Sequence, residues 1–468
     1  MLGSVITRRA LMRRAGLALA TGSASGMHVR ASIGQGATDR SSLIVRSRRP
    51  EDLETPVAAF TDWITRNEIF FVRSHLYTPT IDLRQWTLTI GGAVDRPLSL
   101  QLDEIRSLPR VTMPVTLECA GNGRAYFNPP VAGVQWRKGA VGTARWTGVR
   151  LADVLARAGV KAAARFVFMD GADVPVGAVP DFQRTLPIAK AMDRDTLLAF
   201  DMNGVPLPMS HGSPLRAIVP GWEGAYSVKW LTGIRLLEQQ HDGFFVQTAY
   251  RYPARPVSPG ATVPADAMEP LTGLTVKSMI VTPRDGSRIA MGRTRIAGFA
   301  WAGESEVTRV DISVDGGQSW QPARLGSDRA TYAWRAFEYD WNVGRPGAYE
   351  VMARATDMRG RTQSGSSPWN PSGYLWNAVD RVSVSTEATN QRVAAGAAEA
   401  TALPQDEAAT LAQQKCVTCH GSDLIVQQRL DEAGWSREVD KMIRWGAAVS
   451  DVERRRLIEY FVRHFAPR

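Results

Sequence analysis

Apolar and polar positions sort into three regimes along the chain. From about residue 41 to 255, short apolar runs such as Trp86-Thr87-Leu88-Thr89-Ile90 and Arg165-Phe166-Val167-Phe168-Met169 lie between Gly- and Pro-rich stretches, the pattern of short buried strands. Helical spacing is interleaved: Leu151, Val154, Leu155 and Ala158 share one face of a predicted helix over 151–158. Strands and helices mixed without regular alternation predict an α+β domain over residues 41–265. A hinge with Pro253, Pro256, Pro259 and Pro264 follows, and then period-two alternation takes over. Val310-Asp311-Ile312-Ser313-Val314 leads into Asp315-Gly316, a hairpin signal, and Tyr349, Val351, Ala353 and Ala355 alternate with Glu350, Met352 and Arg354. Repeated short strands over 270–385 predict an all-β, immunoglobulin-like sandwich. Residues 386–402 are Ala-, Thr- and Gly-rich with no apolar period, which predicts a flexible linker with a reach on the order of 20–25 Å. Residues 403–468 predict a small all-α unit, closed by a helix over 450–464 whose Leu457, Tyr460 and Phe461 share a face with Phe465.

Length and charge sharpen this division. A chain of 468 residues is long for one domain and suits three. The formal net charge is +10, but Arg8, Arg9, Arg13, Arg14 and Arg30 all precede the first acidic residue. Without that leader the excess is halved, and no basic patch interleaved with aromatics points to a nucleic-acid partner. Thr7-Arg8-Arg9-Ala10-Leu11-Met12-Arg13, followed by the apolar stretch Ala15–Ala20, reads as a twin-arginine-type signal peptide over 1–32 and implies a periplasmic location. A basic tail is the plainer alternative. No apolar run is long enough for a membrane span.

The chain has three cysteines. Two lie in Cys416-Val417-Thr418-Cys419-His420, the pattern that attaches haem c through both thiols and places the histidine on iron. There is no second cysteine pair for zinc. Met442, the only methionine after the motif, lies on a predicted helix and is the expected sixth ligand; His464 is the alternative. The third, Cys119, ends the apolar run Val115-Thr116-Leu117 and opens the loop Gly121-Asn122-Gly123-Arg124. A nearby guanidinium lowers a thiol pKa, and a thiolate ligates soft metals; a buried structural cysteine is the bland alternative. The glycines predict close backbone approach to something bulky. Arg73 and His75 at a predicted strand end, with His211, Arg216 and Lys229 in Gly/Pro loops, form a cationic set suited to an anionic cofactor and substrate.

These segments resemble the sulfite oxidase family of molybdenum-pterin enzymes, including its immunoglobulin-like dimerisation domain. The resemblance is carried by Phe71-Val72-Arg73-Ser74-His75-Leu76, Glu118-Cys119-Ala120-Gly121-Asn122-Gly123-Arg124, Gly142-Thr143-Ala144-Arg145-Trp146, Asp201-Met202-Asn203-Gly204 with His211 and Arg216, Val228-Lys229-Trp230-Leu231, and Trp369-Asn370-Pro371. It implies that Cys119 is the thiolate ligand of molybdenum and that His75, His211, Arg216 and Lys229 grip the pterin and its phosphate. Arg73, Trp136 and Tyr250 would line the substrate pocket, Arg73 as the principal anion-binding residue, with Arg124 close behind Cys119. Ser372 departs from the animal pattern, which has an arginine there. The implied activity is oxidation of sulfite to sulfate, with electrons leaving through haem c to an external soluble cytochrome c, in a possible homodimer. A sulfane dehydrogenase of a thiosulfate-oxidising system stays open through Pro220-Gly221-Trp222-Glu223-Gly224. From another class, so does a non-catalytic haem electron carrier or redox sensor.

Overall fold

The structure, a computed structural model, describes residues 40–386 and 402–467. The signal peptide expected over 1–32 and nearly all of the linker expected over 386–402 lie outside them. Two five-stranded sheets build the first part of the fold. In one, Arg110–Glu118 pairs with Val141–Arg150, which pairs with Leu197–Met202; that strand also pairs with Val205–Pro206 and Arg216–Ile218. The other runs Leu98–Leu100, Leu88–Gly92, Leu231–Leu237, Phe166–Gly171, Arg184–Pro187. The helix Leu151–Ala158 buries Leu151, Val154, Leu155 and Ala158, the face its spacing predicts, in a core shared with both sheets. A small sheet of Ile44–Arg48, Glu51–Glu54 and Val72–Arg73 closes one side.

A sandwich of two sheets follows. One holds Lys277–Thr282, Gly292–Trp301, Arg335–Val343 and Arg324–Leu325; the other is led by Val307–Ser313, Ala348–Asp357 and Asp380–Ser385. The two share one apolar core that includes Ile296, Val310, Phe337 and Val351. The predicted hairpin forms between Val307–Ser313 and Gln321–Pro322. Its turn is longer than an Asp-Gly two-residue turn, because the Asp315 carboxylate accepts from the Ser313 and Ser319 hydroxyls and wraps the chain around itself. Met352, on the polar side of the alternation, is buried nonetheless, since Gly317 of this turn passes over its sulfur.

The C-terminal unit is all helical: Ala409–Cys416, Asp423–Val426, Glu432–Arg444 and Asp451–Phe465. Ser450 and Glu453 form a capping box that starts the last helix. Leu457, Tyr460, Phe461 and Phe465 pack with Trp435 and Val439. This unit is seated on the first domain. The Asp423 carboxylate accepts from the Arg48 backbone N–H at 2.9 Å and the Ser47 hydroxyl at 3.4 Å. Gln427 Oε1 accepts from Gln135 N at 2.7 Å, while Gln428 exchanges bonds in both directions with the Gly133 backbone. Leu424 packs against the first domain's core, and Ala132 against the helical one.

Candidate active site

Strand ends and loops of the first domain aim side chains into two adjoining cavities. The smaller, about 70 Å³, is walled by Ser210, His211, Arg216, Lys229 and Asp173. The larger, about 550 Å³, reaches into the helical unit, where Cys416, Cys419, His420 and Met442 line it. Arg73, His75, Cys119 and Tyr250 border both. These four residues form a common wall between the cavity over the cationic floor of the first domain and the one that reaches the cysteine–histidine motif.

Cys119 follows the strand Arg110–Glu118 directly, and its backbone N–H donates to Ala140 O at 2.9 Å. Glu118 anchors that strand end: its buried carboxylate accepts from Lys277 Nζ at 2.6 Å, Asn122 Nδ2 at 2.9 Å and Trp301 Nε1 at 2.8 Å. Two of these donors, Lys277 and Trp301, belong to the sandwich. The glycines of the loop do meet bulky groups, but these are the chain's own. A Cβ on Gly121 would lie 2.6 Å from the Arg124 guanidinium, and one on Gly123, at φ 95°, would lie 2.6 Å from Trp376. The Cys119 thiol itself is pushed up by burial, which outweighs the opposing pulls of Arg73 and Arg124. An activated free nucleophile is thus not what this environment makes.

The cations around Cys119 are mostly held without carboxylates. Arg216 donates to His211 O and Ser227 O, both at 2.8 Å, and lies over the Trp146 ring. Lys229 Nζ donates to Ser74 Oγ at 2.9 Å and Ser210 O at 3.0 Å. Arg124 donates to Val134 O and Ser372 O. Burial pulls Arg216 down to about 9 and, with Arg216 beside it, Lys229 down to about 7. His211 is held at about 3 by burial and the same two cations. A bound anion would reverse each of these shifts. Arg73 is the exception, since Asp52 accepts from its Nη1 at 3.0 Å. Its three hydrogen bonds all use Nη1, so Nε and Nη2 stay available to the cavity. Burial works against the Arg73 charge, but Asp52 prevails and holds the guanidinium above its ordinary range. Burial also lifts Asp52 to about 6, against the pull of Arg73.

His75 lies farther toward the helical unit than its expected partners His211 and Lys229. It is stacked on Phe182 at 4.0 Å, and its Nε2 is 2.7 Å from the Tyr250 hydroxyl. Burial and the charges of Arg73, Lys229 and Arg184 hold the imidazole well below its ordinary range. Trp136 makes no part of either cavity wall. Its fully buried ring joins the apolar cluster of Phe70, Phe71 and Leu117, which do line the smaller one. Ser372 borders the larger cavity, its hydroxyl donating to Arg251 O. Three residues escaped the sequence reading: Asp52, Tyr374, whose ring lies parallel to that of Tyr250 at 5.5 Å, and Arg184.

In the helical unit, His420 Nδ1 donates to Gly421 O at 2.9 Å, which leaves Nε2 free. Burial raises the Cys416 thiol to about 11. Met442 and His420 face the same cavity. His464 does not: it pairs with Asp406 at 3.1 Å and packs on Tyr460.

Residues 75–245 match the oxidoreductase molybdopterin binding domain, and residues 269–387 match the Mo-co oxidoreductase dimerisation domain. Sulfite oxidase of Arabidopsis thaliana is 34% identical over 372 residues, covering 73% of this chain and 93% of that protein. The chain belongs to the sulfite oxidase family. Mitochondrial sulfite oxidase of Homo sapiens is 39% identical over 363 residues, which span 73% of this chain but 65% of that protein. Among solved structures of this family's likeness, the sulfane dehydrogenase SoxCD from Paracoccus pantotrophus matches with a TM-score of 0.64 at 28% identity, covering 73% of this chain and 86% of that chain. The first domain thus has the molybdopterin-binding fold of sulfite oxidases, and the sandwich is its β-rich dimerisation domain.

Proposed function

We propose that this protein is a sulfite dehydrogenase, periplasmic and exported by the twin-arginine route, which passes electrons through its own haem c to an external soluble cytochrome c. The observation that carries the proposal is the single space bordered by Cys119 and Arg73 at one end and by Cys416, Cys419, His420 and Met442 at the other. Both cofactors fit the residues present. Among the described residues no three His, Cys, Asp or Glu side chains converge on a metal. By the family likeness Cys119 would be the protein's ligand to molybdenum, with the rest supplied by the pterin, whose phosphate suits Arg216 and Lys229, both held by carbonyl and hydroxyl oxygens. Haem c suits a cavity with two thiols on one wall. His420, its Nδ1 tied to a carbonyl, would be the proximal ligand, and Met442, which lines the same cavity, would be the sixth.

Molybdenum, when bound, supplies oxygen-atom transfer and accepts two electrons; haem c supplies one-electron relay. The net change is sulfite plus water to sulfate, two protons and two electrons. The free Nε and Nη2 edge of Arg73, together with Arg124, binds and orients the dianion by charge-assisted hydrogen bonds. The hydrogen bond between His75 Nε2 and the Tyr250 hydroxyl fixes that hydroxyl at the substrate end of the space. The seated helical unit supplies one wall of this space. The sandwich, as a dimerisation domain, supports a homodimer.

Likeness to the sulfane dehydrogenase SoxCD favours a second reading, in which the sulfur is carrier-bound. Periplasmically matured protein, assayed for molybdenum and haem, separates the two. Sulfite is expected to reduce the haem without any carrier protein. A haem that stays oxidised with sulfite but is reduced by a thiosulfate-loaded carrier would replace the first reading with the second. Absence of molybdenum from such protein would favour a plain electron carrier or redox sensor.

A further inference from the structure

Arg184 opens the strand Arg184–Pro187, opposite Met169. It is 3% exposed, yet its Nε and Nη1 have no hydrogen-bond partner and no carboxylate pairs with it among the described residues. A buried guanidinium left in this state is costly unless something else stabilises its charge. Two aromatic faces do so: its carbon lies 4.3 Å from the Tyr226 ring centre and 4.8 Å from that of Tyr250. The contacts continue. Tyr250 is parallel to Tyr374 within 3°, and Arg124 lies 5.2 Å from the Tyr374 ring centre. Tyr226, Arg184, Tyr250, Tyr374 and Arg124 thus touch in series. The series holds Tyr250 where its own backbone is unfavourable, at φ 55°, with its hydroxyl on His75.

We infer that Arg184 is a positioning and specificity residue: its charge, paired with no carboxylate among the described residues and acting from behind Tyr250, holds the Tyr250–His75 pair in place and adds to the field that selects a small dianion. The inference rests on the anion-oxidising reading of this site, but the charge itself can be tested without turnover. In the oxidised holoenzyme, Arg184→Met should weaken binding of inorganic sulfate and raise the KM for sulfite by about tenfold, the size expected of one buried charge just behind the site. The kcat should change far less, and Arg184→Lys should restore most of the affinity. Unchanged sulfate binding in an Arg184→Met protein with normal molybdenum and haem content would overturn the inference. So would an Arg184→Lys protein as impaired as Arg184→Met, which would make the role shape alone. If Arg184→Met fails to load molybdenum, Tyr374→Leu breaks the series without removing Arg184 and should raise the sulfate Kd; no change in that variant also overturns it. A wild-type protein that binds sulfate but does not oxidise sulfite would sink the proposed substrate and leave Arg184 testable.

Discussion

Cys119 is placed by its neighbours. Glu118 accepts from Lys277, Asn122 and Trp301, and Asn122 Oδ1 in turn accepts from Ala140 N. Glu118→Ala would strand the Lys277 ammonium, so a loss of about 3–5 kcal/mol in stability is expected from urea unfolding. Cys119→Ser should leave the fold intact and the haem reducible by dithionite while abolishing its reduction by sulfite; retained turnover would remove the metal-ligand assignment. His211 makes a prediction for the cofactor-free chain. Held at about 3 when folded, against an ordinary value of 6.5, it binds its proton only after unfolding. Its contribution is complete above about pH 6.5 and is lost as pH falls toward 3, at ~1.4 kcal/mol per pH unit. Above about pH 6.5 the melting temperatures of wild type and His211→Asn should run parallel, and below it the wild-type value should fall more steeply, because His211→Asn has no proton to take up on unfolding. Much of the candidate site was legible because its residues stand in short local motifs: Cys119 with Arg124, Arg73 with His75, and Cys416-Val417-Thr418-Cys419-His420. Asp52, Arg184 and Tyr374 were not, since they come from three distant segments and meet Arg73 and Tyr250 only through tertiary packing. The sign of the Cys119 shift was also hidden, because desolvation depends on the fold and outweighs the nearby guanidinium.

Among the elements, those with a strong period were read correctly from sequence. The helix Leu151–Ala158 shows its four predicted residues buried, and Leu155→Ala should cost about 2–5 kcal/mol in thermal unfolding. The last helix likewise buries Leu457, Tyr460, Phe461 and Phe465. Alternation failed at Met352, where a turn from the neighbouring hairpin covers the outward face. It carried no information about how the helical unit is seated, because Gln427 and Gln428 look like ordinary surface residues on a short helix. In the structure they replace backbone partners for Gly133 and Gln135. Replacing both with Ala hands these part-buried backbone groups back to water, a loss of about 0.5–1.5 kcal/mol for each bond. Amide exchange at Gly133 and Gln135 should accelerate in that double variant while the sandwich strands stay protected.

At the scale of the whole molecule, the helical unit and the molybdopterin-binding domain are one functional body. Arg48, Asp423, Gln135, Gln427 and the ring contact of Phe244 with Trp445 hold them together, around a space that both line. If the proposed function holds, electron transfer from molybdenum to haem should therefore occur within each molecule, without a diffusive encounter. Anaerobic stopped-flow mixing of the fully loaded, oxidised protein with excess sulfite tests this directly, with haem absorbance as the signal. The account predicts haem reduction with a first-order rate constant that does not change when the protein concentration is varied. A rate rising in proportion to protein concentration, or a haem left oxidised in molybdenum-replete protein, would contradict it.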